Sequence, residues 1–590
     1  MSRSPGLTRQ ERARYVLVIG RKCIRTSVVL AALAVSAAFS AGEAAATSHV
    51  YVTAWNDQLV NEFSASSNGA LSSFGSVNAG DSQPWYIAMT SDARNLYLTT
   101  FSGHDLEAFD VGPAGALTQK DAAHGGQVTT GTKPVGIAVS PDDKNAYVAN
   151  YNNNGAGSVS IYDIASDGSI KAHTPDQVAG KGSYGVAVSP DGKSVYIANS
   201  GDDTISQFDR AADGSLTAKV PDTVTVSHIS SNPGPDYLAL TPDGKHLYSA
   251  NYNDSSIGVF DVGAGGKLTE KSSGSPVASG YGLYQIAVSP DGRSLYGPSN
   301  DDGKVYQYDI AAAGGLTAKS PSTQPAGLHL DGIWLSPDGK SAYAADAGTF
   351  VNPTSNKDFA LSQFNVDSAG RLAAKSPATV ATGDYPAAAM VAPDQGPTAS
   401  FTDPSAGSSV KFDASGSTDP DGTVARYLWN FGDGTPLLDN GPKPTHTYAK
   451  PGVYTVTLTL FDDAGCSTAL VYTGQTAYCH GRPAATTTRS VTVKAGAKKG
   501  CSNRRNYTFK PKHPPGTRIV DVKVFINGKL KVHLTGNDVG PVKINALPTT
   551  GKFRVKVVAT QDNGDVVTST RTYHGCKKTK PRTHVHRHHH

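Results

Sequence analysis

The feature that most constrains this chain is a phrase that recurs seven times at a near-constant period. Clear copies read "IAVSPDDKNAYVAN", "VAVSPDGKSVYIAN" and "LALTPDGKHLYSAN". Self-similarity at such a period is typical of a propeller or a solenoid, in which each copy is one structural unit. The aspartates of the seven copies follow one another at intervals of 47 to 56 residues: Asp92, Asp142, Asp191, Asp243, Asp291, Asp338 and Asp394.

Each copy predicts a four-stranded antiparallel sheet, the content of a propeller blade. An apolar strand leads into a Pro-Asp-Gly turn, whose residues suit a tight hairpin. A second strand, a third strand and a "GxLT" turn into a fourth strand follow. The last copy stops after its first strand at Asp394, whereas Val50–Phe63 supplies strands that lack a first one. We therefore expect seven blades in residues 47–395, one of them completed by strands from both ends.

Residues 49–395 resemble the YVTN-repeat propellers, which are similar to the lactonase-type seven-bladed family. In that family, activity depends on an Arg in a "PRH" phrase, a Glu in an "NEL" phrase sixteen residues later, and a His and an Arg from the flanking blades. At the matching positions this chain has Asp236, Tyr252, Tyr184 and Tyr284. Because Tyr is a poor base at neutral pH, we predict no catalytic residues here. Whether the chain is an enzyme stays uncertain, with the sequence favouring a non-enzyme.

The rest of the sequence offers no other catalytic or cofactor motif in a convincing context. The propeller histidines are isolated, so we predict no cofactor and no metal site. The phrase "STDPDGT" (Ser417–Thr423) is similar to a calcium loop but does not fit the EF-hand spacing. Turns are the favoured interpretation of such phrases.

The start of each first strand and the loop after each second strand are expected to line the mouth of the central channel. Half of the residues at these positions are aromatic. Aromatic faces beside carboxylates suit sugar rings, and they suit cations too. The alternative is that the rings only pack between blades and close the channel. The predicted binding residues are Trp55, Trp85, Phe101, Tyr151, Tyr184, Asp236, Tyr252, Tyr284 and Asp331.

Residues 396–495 resemble a PKD domain, a small β-sandwich common in secreted and cell-surface proteins. An insertion that holds Cys466 and Cys479 departs from the compact pattern, and a local disulfide would restrain it. The residues that carry the resemblance are Asp419–Gly422, Trp429–Gly434 and His446–Tyr448.

Residues 496–577 predict a second small sandwich, immunoglobulin-like in a loose sense. Alternating apolar residues precede hairpin turns at Asn527–Gly528 and Asn563–Gly564. A Cys501–Cys576 disulfide would join the first strand of this module to its last. Zinc is the weaker interpretation of the four cysteines, since Cys-x-x-Cys spacing is lacking.

This C-terminal module is strongly basic. From Lys498 onward the chain has 20 Lys and Arg against four Asp, and residues 47–497 are net acidic. Lys552, Arg554 and Lys556 alternate along one predicted strand. Such a face could dock on an anionic polymer by counterion release. Solubility, or attraction to the acidic propeller, is the alternative role.

Residues 1–46 have the pattern of a secretory signal peptide, with a basic start, an apolar run at Val28–Ala38 and small residues at Ala44–Ala46. An uncleaved anchor is the alternative. No later segment is apolar enough to cross a membrane, so we expect a secreted or cell-surface protein. The His-rich basic tail, residues 578–590, is expected to be disordered.

The sequence thus predicts an all-β chain: a seven-bladed β-propeller, a PKD-type β-sandwich and a small C-terminal β-sandwich. The predicted function is recognition or adhesion, with a mouth that binds a glycan or peptide. The PKD-like domain would act as a spacer, and the basic module would dock on an anionic cell-envelope polymer rather than a specific nucleic acid. The alternatives are a lactonase-type hydrolase (6-phosphogluconolactonase-like) acting on a sugar lactone, and a structural envelope protein.

Overall fold

The computed structural model describes residues 48–494, 506–548 and 551–575 with short gaps. The predicted signal peptide (1–46), the predicted Cys501–Cys576 pair and the predicted tail (578–590) lie outside the described residues. The gaps are residues 81–82, 123–124, 153–154, 174, 231, 349–358, 404–406, 510, 512–516 and 546.

Residues 48–391 form seven antiparallel β-sheets, numbered here as blades 1 to 7, and confirm the predicted propeller. The innermost strands of successive blades contact one another around a closed ring. Blades 1, 2 and 4 carry a short additional strand beside the third one. A 3-10 turn, Ala264–Gly266, lies in the outer hairpin of blade 4.

The strands are given from the innermost outwards. Blade 1 comprises Pro84–Met89, Asn95–Thr100, Asp105–Val111, Leu117–Gln119 and Gln127–Thr129. Blade 2 comprises Pro134–Val139, Asn145–Asn150, Ala156–Ile164, Ile170–Ala172 and Gln177–Lys181. Blade 3 comprises Ser183–Val188, Ser194–Asn199, Thr204–Arg210 and Leu216–Thr225. Blade 4 comprises Pro235–Leu240, His246–Asn251, Ser256–Val262, Leu268–Glu270 and Val277–Ala278.

The remaining blades complete the ring. Blade 5 comprises Ala287–Val288, Ser294–Ser299, Lys304–Ile310 and Leu316–Pro325. Blade 6 comprises Leu330–Leu335, Ser341–Asp346, Ala360–Val366 and Leu372–Ala381. Blade 7 comprises Pro386–Val391, Ser48–Ala54, Leu59–Ala65 and Leu71–Asn78.

Blade 7 is built from both ends of the propeller. Its innermost strand, Pro386–Val391, pairs antiparallel with Ser48–Ala54, so that Val50 lies opposite Val391. This is the strand exchange that the two incomplete sequence copies predict. Closure in this way leaves no open sheet edge between the first and last blades.

The Tyr of the repeated phrase has the same structural role in every blade. In every blade this Tyr is almost fully buried, and its hydroxyl donates to a glycine carbonyl in the outer hairpin of the next blade. A buried phenol needs such an acceptor, so each copy ties its blade to the next. The seven pairs, at 2.6–3.0 Å, are Tyr51–Gly115, Tyr97–Gly168, Tyr147–Gly214, Tyr196–Gly266, Tyr248–Gly314, Tyr296–Gly370 and Tyr343–Gly69.

A PKD-type sandwich follows the propeller. Its core surrounds the fully buried Trp429, which packs edge-on against Phe401 at 5.2 Å between ring centroids. The larger sheet has the order Leu438–Asp439, Val424–Asn430, Gly452–Asp462 and Thr486–Val493. The smaller sheet pairs Ser409–Lys411 with Thr445–Thr447, and a 3-10 turn spans Pro483–Ala485.

The insertion of this domain packs against the propeller. Val471–Tyr472, Ala477–His480 and Asp394–Gln395 form a small sheet. We call residues 470–480 the plug loop, because they close one end of the central channel. The predicted Cys466–Cys479 disulfide is present at the base of this loop, with 5.6 Å between the two Cα atoms.

Backbone hydrogen bonds hold the plug loop against the ends of three innermost strands. The N–H groups that donate are those of Val139, Val188 and Leu240, and the acceptors are the carbonyls of residues 475, 474 and 473, at 2.8–2.9 Å. The fully buried Tyr472 donates its hydroxyl to the carbonyl of Val139. The insertion of the PKD-like domain is therefore anchored in the propeller, and the spacer role stays a prediction.

The C-terminal module forms a four-stranded sheet and a two-stranded sheet around an apolar core. The larger sheet has the order Lys529–Thr535, Ile519–Ile526, Gly551–Gln561 and Val566–Gly575, and the smaller sheet pairs Tyr507–Phe509 with Val542–Ile544. In the part of the chain that the structure describes, no helix has the length and apolar character that a membrane crossing requires.

Candidate functional site

Each blade presents the two predicted sets of mouth residues through the same backbone geometry. A residue with φ between 34° and 66° precedes every innermost strand: Gln83, Lys133, Gly182, Gly234, Gly282, His329 and Tyr385. Its carbonyl accepts a hydrogen bond of 2.9–3.3 Å from an N–H group after the second strand. The seven donors are Phe101, Tyr151, Ser200, Tyr252, Asn300, Ala347 and Trp55. Positions aligned in the sequence are thus equivalent in space, at the channel end opposite the plug loop.

A β-bulge lies beside the mouth in six blades. The register between the first and second strands shifts there. Examples are the shift between Pro84 and Ile87 in blade 1 and the shift between Pro235 and Tyr237 in blade 4. Bulges re-aim a side chain and often lie beside binding sites. Trp85 and Asp236 occupy the slipped positions of these two blades.

The largest group of rings at the mouth joins blades 7 and 1. Trp55 meets Trp85 edge-on with 4.3 Å between ring centroids, and Phe101 lies 5.4 Å from Trp55. Tyr385 adds a fourth ring, 6.4 Å from Trp55. All four side chains are half-buried. We did not predict Tyr385 from the sequence.

Two tyrosine pairs continue the rim across other blade borders. Tyr252 and Tyr284 are 4.3 Å apart, and Tyr151 and Tyr184 are 6.1 Å apart. Each pair joins the second strand of one blade to the entry of the next. The rings therefore pack between blades, yet all four remain partly exposed.

Two carboxyl groups at the mouth positions are buried. Asp236 is 4% exposed and Asp331 is 7% exposed. Asp331 Oδ1 accepts a hydrogen bond from Asn300 Nδ2 at 3.0 Å, whereas Asp331 Oδ2 is buried without a protein donor. Burial raises the pKa of each carboxyl to about 7, although a hydrogen bond from Ser200 partly opposes this for Asp236 and one from Tyr385 does so for Asp331.

Two tyrosines of the mouth lie within electrostatic range of these carboxyl groups. The pKa of Tyr184 is raised chiefly by burial and further by Asp236 and Asp331. The pKa of Tyr284 is raised by burial, then by Tyr252 and by Asp331. The structure thus places the predicted Tyr184, Asp236, Tyr284 and Asp331 at the same end of the channel.

The channel between the mouth and the plug loop is narrow. A cavity of about 50 Å³ lies next to the plug loop, lined by Tyr86, Tyr237, Gln285 and Thr476 among others. Tyr86 stacks on Tyr237 with 5.8 Å between ring centroids. The channel therefore has little free volume at its closed end.

A second polar group lies where the propeller meets the PKD-type sandwich. Asp394, Asp419 and Asp462 each have one buried carboxylate oxygen without a hydrogen bond. Burial, together with repulsion between neighbours, raises the pKa of Asp394 to about 10, of Asp421 to about 7 and of Asp462 to about 6. Carboxylate oxygens are ligands that Ca²⁺ prefers. Oxygens of Asp394 and Asp462 lie within 4.8 Å of each other, so these two residues could share a divalent cation. The sequence pattern of residues 417–423 predicts only turns.

The C-terminal sheet separates its charges from its core as expected. Lys552, Arg554 and Lys556 are exposed, and the alternate residues Phe553 and Val555 are buried. The cations lie about 7 Å apart along the strand, since alternate residues of a strand share a face.

Comparisons with known proteins agree with this architecture. Residues 49–187 and 222–346 match the family described as "Lactonase, 7-bladed beta-propeller". Residues 383–476 match the family described as "PKD domain". The chain joins a lactonase-type propeller to a PKD domain. The PKD match includes most of the plug loop, as far as residue 476.

Solved structures support the lactonase-type fold. A putative 6-phosphogluconolactonase of Bacteroides fragilis has a TM-score of 0.50 at 21% identity, and the match covers 59% of this chain and 99% of that one. A putative 6-phosphogluconolactonase of Bacteroides uniformis has a TM-score of 0.50 at 18% identity, with coverage of 59% and 99%. At these identities the likeness concerns the fold alone.

Curated relatives match only short stretches. A microbial collagenase of Vibrio alginolyticus is 39% identical over 67 residues, which are 11% of this chain and 8% of that protein. A collagenase of Bacillus cereus is 45% identical over 56 residues, which are 10% of this chain and 6% of that protein. The chain therefore spans less than a tenth of the length of these relatives.

Proposed function

We propose that this protein is an extracellular recognition protein whose propeller mouth binds sugar rings of a glycan. The observation that carries the proposal is the rim of half-buried aromatic rings, grouped as Trp55 with Trp85 and as Tyr252 with Tyr284. The C–H faces of sugars stack on such rings, and polar neighbours such as Asn300 can bond the hydroxyl groups.

An extracellular location has independent support. A PKD domain follows the propeller, and the collagenases are among the proteins with matching stretches. The Cys466–Cys479 disulfide fits an oxidising compartment. Within this proposal, the exposed Lys552, Arg554 and Lys556 dock on an anionic envelope polymer, and that binding should weaken as salt rises.

A glycan array tests the mouth. We expect the wild-type protein to bind a subset of glycans, and a Trp85→Ala/Tyr252→Ala variant to lose at least about tenfold in apparent affinity, since two stacking faces are removed. Phe74→Ala is the matched control, because Phe74 is an exposed ring on the outermost strand of blade 7. Binding that survives in the double variant, or that falls equally in the control, would refute the proposal.

A lactonase-type hydrolase is the second candidate, and one observation favours it. Asp236 and Asp331 have pKa values raised to about 7 by burial, a range suited to general acid-base chemistry. Hydrolysis of a sugar lactone by the wild-type protein, lost in Asp236→Asn and in Asp331→Asn, would replace the first proposal. We expect no turnover above the uncatalysed rate.

A further inference from the structure

We propose that the mouth selects glycans that carry free amino groups, so that the ligand is a cationic sugar and not a neutral or anionic one. This inference rests on the proposed function and adds the charge of the ligand. It follows from three observations: two buried carboxyl groups, the lack of a salt-bridge partner for them among the residues that the structure describes, and the aromatic rings at neighbouring mouth positions.

The two carboxyl groups lack a counter-charge. Among the described residues, Asp236 and Asp331 take part in no salt bridge, and their recorded partners are the neutral Ser200, Asn300 and Tyr385. A carboxylate buried without a cation is costly. A ligand ammonium group would supply the missing charge.

One carboxylate oxygen lacks a hydrogen-bond partner, although it is buried. Asp331 is 7% exposed, and its Oδ2 atom is buried and accepts no hydrogen bond. A nearby Asp346 adds further negative potential. An ammonium group has three donors, so it could bond Oδ2 once the side chains that cover this atom move aside.

The rings around the site also suit a cation. Aromatic faces attract ammonium groups, most strongly when both are desolvated. The rim already shows this contact, because Lys133 Nζ lies over the Phe101 ring at 5.0 Å from its centroid. Tyr284 is coupled electrostatically to Asp331, and its ring lies 4.3 Å from the partly exposed Tyr252 ring.

An anionic or acetylated sugar is disfavoured by the same groups. A ligand carboxylate or phosphate would meet Asp236 and Asp331 at close range, and like charges in a site of low dielectric repel strongly. An acetylated amine carries no charge, so it leaves the carboxyls uncompensated. The acidic body of the chain, residues 47–497, would further attract a cationic ligand from solution.

The test is calorimetric titration of the full chain with two probes of equal length. The probes are the hexamer of β-1,4-linked glucosamine and the corresponding hexamer of N-acetylglucosamine. We expect the glucosamine hexamer to bind at least about tenfold tighter, since an ammonium–carboxylate contact in a desolvated site contributes that much or more. In Asp236→Asn/Asp331→Asn this preference should disappear.

The controls separate this inference from the proposed function. Asp222→Asn removes an exposed carboxylate on the outermost strand of blade 3 and should leave both affinities unchanged. Trp85→Ala should weaken binding of every sugar probe, because stacking does not depend on charge. A thermal melt confirms that each variant is folded.

Several results would overturn the inference. They are equal binding of the two hexamers, tighter binding of the acetylated one, binding of neither, or a preference that persists in the double Asn variant. Binding of a tri-lysine peptide in place of the glucosamine hexamer would assign the site to a peptide instead. The glycan array with Trp85→Ala/Tyr252→Ala decides the proposed function separately in each case.

Discussion

At the scale of single residues, the repeated phrase survives because its Tyr and Asp each have a structural task. The Tyr hydroxyl bridges to the next blade, and the Asp of six copies accepts a hydrogen bond of 2.5–2.7 Å from a Ser or Thr two residues earlier. The seventh Asp, Asp394, instead joins the carboxylate group beside the PKD domain. Deviation from the repeat thus marks the place where another domain attaches.

Removing one bridging hydroxyl should destabilise the ring measurably. Tyr248→Phe deletes the 2.9 Å hydrogen bond to the carbonyl of Gly314 and leaves that carbonyl without this donor in the protein interior. We expect the free energy of unfolding to fall by about 1–3 kcal/mol in chemical denaturation. Tyr281→Phe, at a side chain that is 66% exposed, is the control and should change little. Equal stability of the two variants would contradict the bridging role.

The mouth carboxyls should impose a pH dependence of unusual sign. Their pKa is raised from 3.8 to about 7 in the folded protein, so between pH 4 and pH 7 the folded state holds protons that the unfolded chain has released. The free energy of unfolding should therefore fall as pH rises through this window and level off above it.

Denaturation of the wild type and of Asp236→Asn/Asp331→Asn at several pH values measures this contribution. The difference in stability between the two should change by a few kcal/mol between pH 4 and pH 8, in favour of the variant at high pH. Taking the difference removes the similar effect of Asp394, Asp421 and Asp462. A difference that does not vary with pH would contradict the burial of uncompensated charge.

At the scale of elements, the plug loop is the feature that separates this chain from a bare propeller. Its carbonyl groups accept hydrogen bonds from the N–H groups at the ends of three innermost strands, and its disulfide lies at its base. Gln475 spans two blades, since its Nε2 donates to the carbonyls of Val186 and Leu238. The loop therefore fixes the PKD domain to the propeller and leaves the mouth as the open end.

Loss of the disulfide should loosen this contact. In Cys466→Ser/Cys479→Ser, we expect faster hydrogen exchange at the amides of Val139, Val188 and Leu240, because the plug loop that accepts from them is less restrained. The amide of Tyr151, which bonds Lys133 at the mouth, should be unaffected. Unchanged exchange at the three strand ends would contradict a restraining role for the disulfide.

The carboxylate group at the junction predicts a response to calcium. Binding of Ca²⁺ between Asp394 and Asp462 would relieve the repulsion that these carboxylates feel, so the melting temperature should rise on addition of Ca²⁺ and fall again with chelator. Asp462→Asn should reduce this response, while Asp222→Asn should preserve it. A melting temperature indifferent to Ca²⁺ would show that the group does not bind the ion.

The parts of this structure that could be predicted from the sequence are those that repeat with the period of the sequence copies. The seven blades, their closure and the equivalence of Trp85 with Asp236 follow from positions in the repeat. Other parts depend on long-range contacts that no local pattern records. Tyr385 precedes the most degenerate copy, "AMVAPDQ", and the docking of Tyr472 depends on contacts with residues more than 300 positions earlier. The burial of Asp236 and Asp331 was equally hidden, because Asp is usually exposed.

At the scale of the whole molecule, the chain divides its charges between two regions. The propeller and the PKD domain lie in the net acidic part, residues 47–497, whereas the C-terminal module is basic. An aromatic mouth with buried carboxyls and a sheet with exposed cations suit ligands of opposite charge. We therefore propose that the two regions bind separate ligands, one at the propeller and one at the C-terminal sheet.

The central claim, that glycan binds at the mouth, is tested most directly by tryptophan fluorescence. Trp55 and Trp85 lie at the mouth, and they are two of the four tryptophans of the chain. We predict that a glycan selected on the array shifts or quenches the emission of the wild type. We also predict that this change is lost in Trp55→Phe/Trp85→Phe, in which residual binding can still be followed by calorimetry. Binding that leaves the wild-type emission unchanged would place the glycan elsewhere and contradict the account.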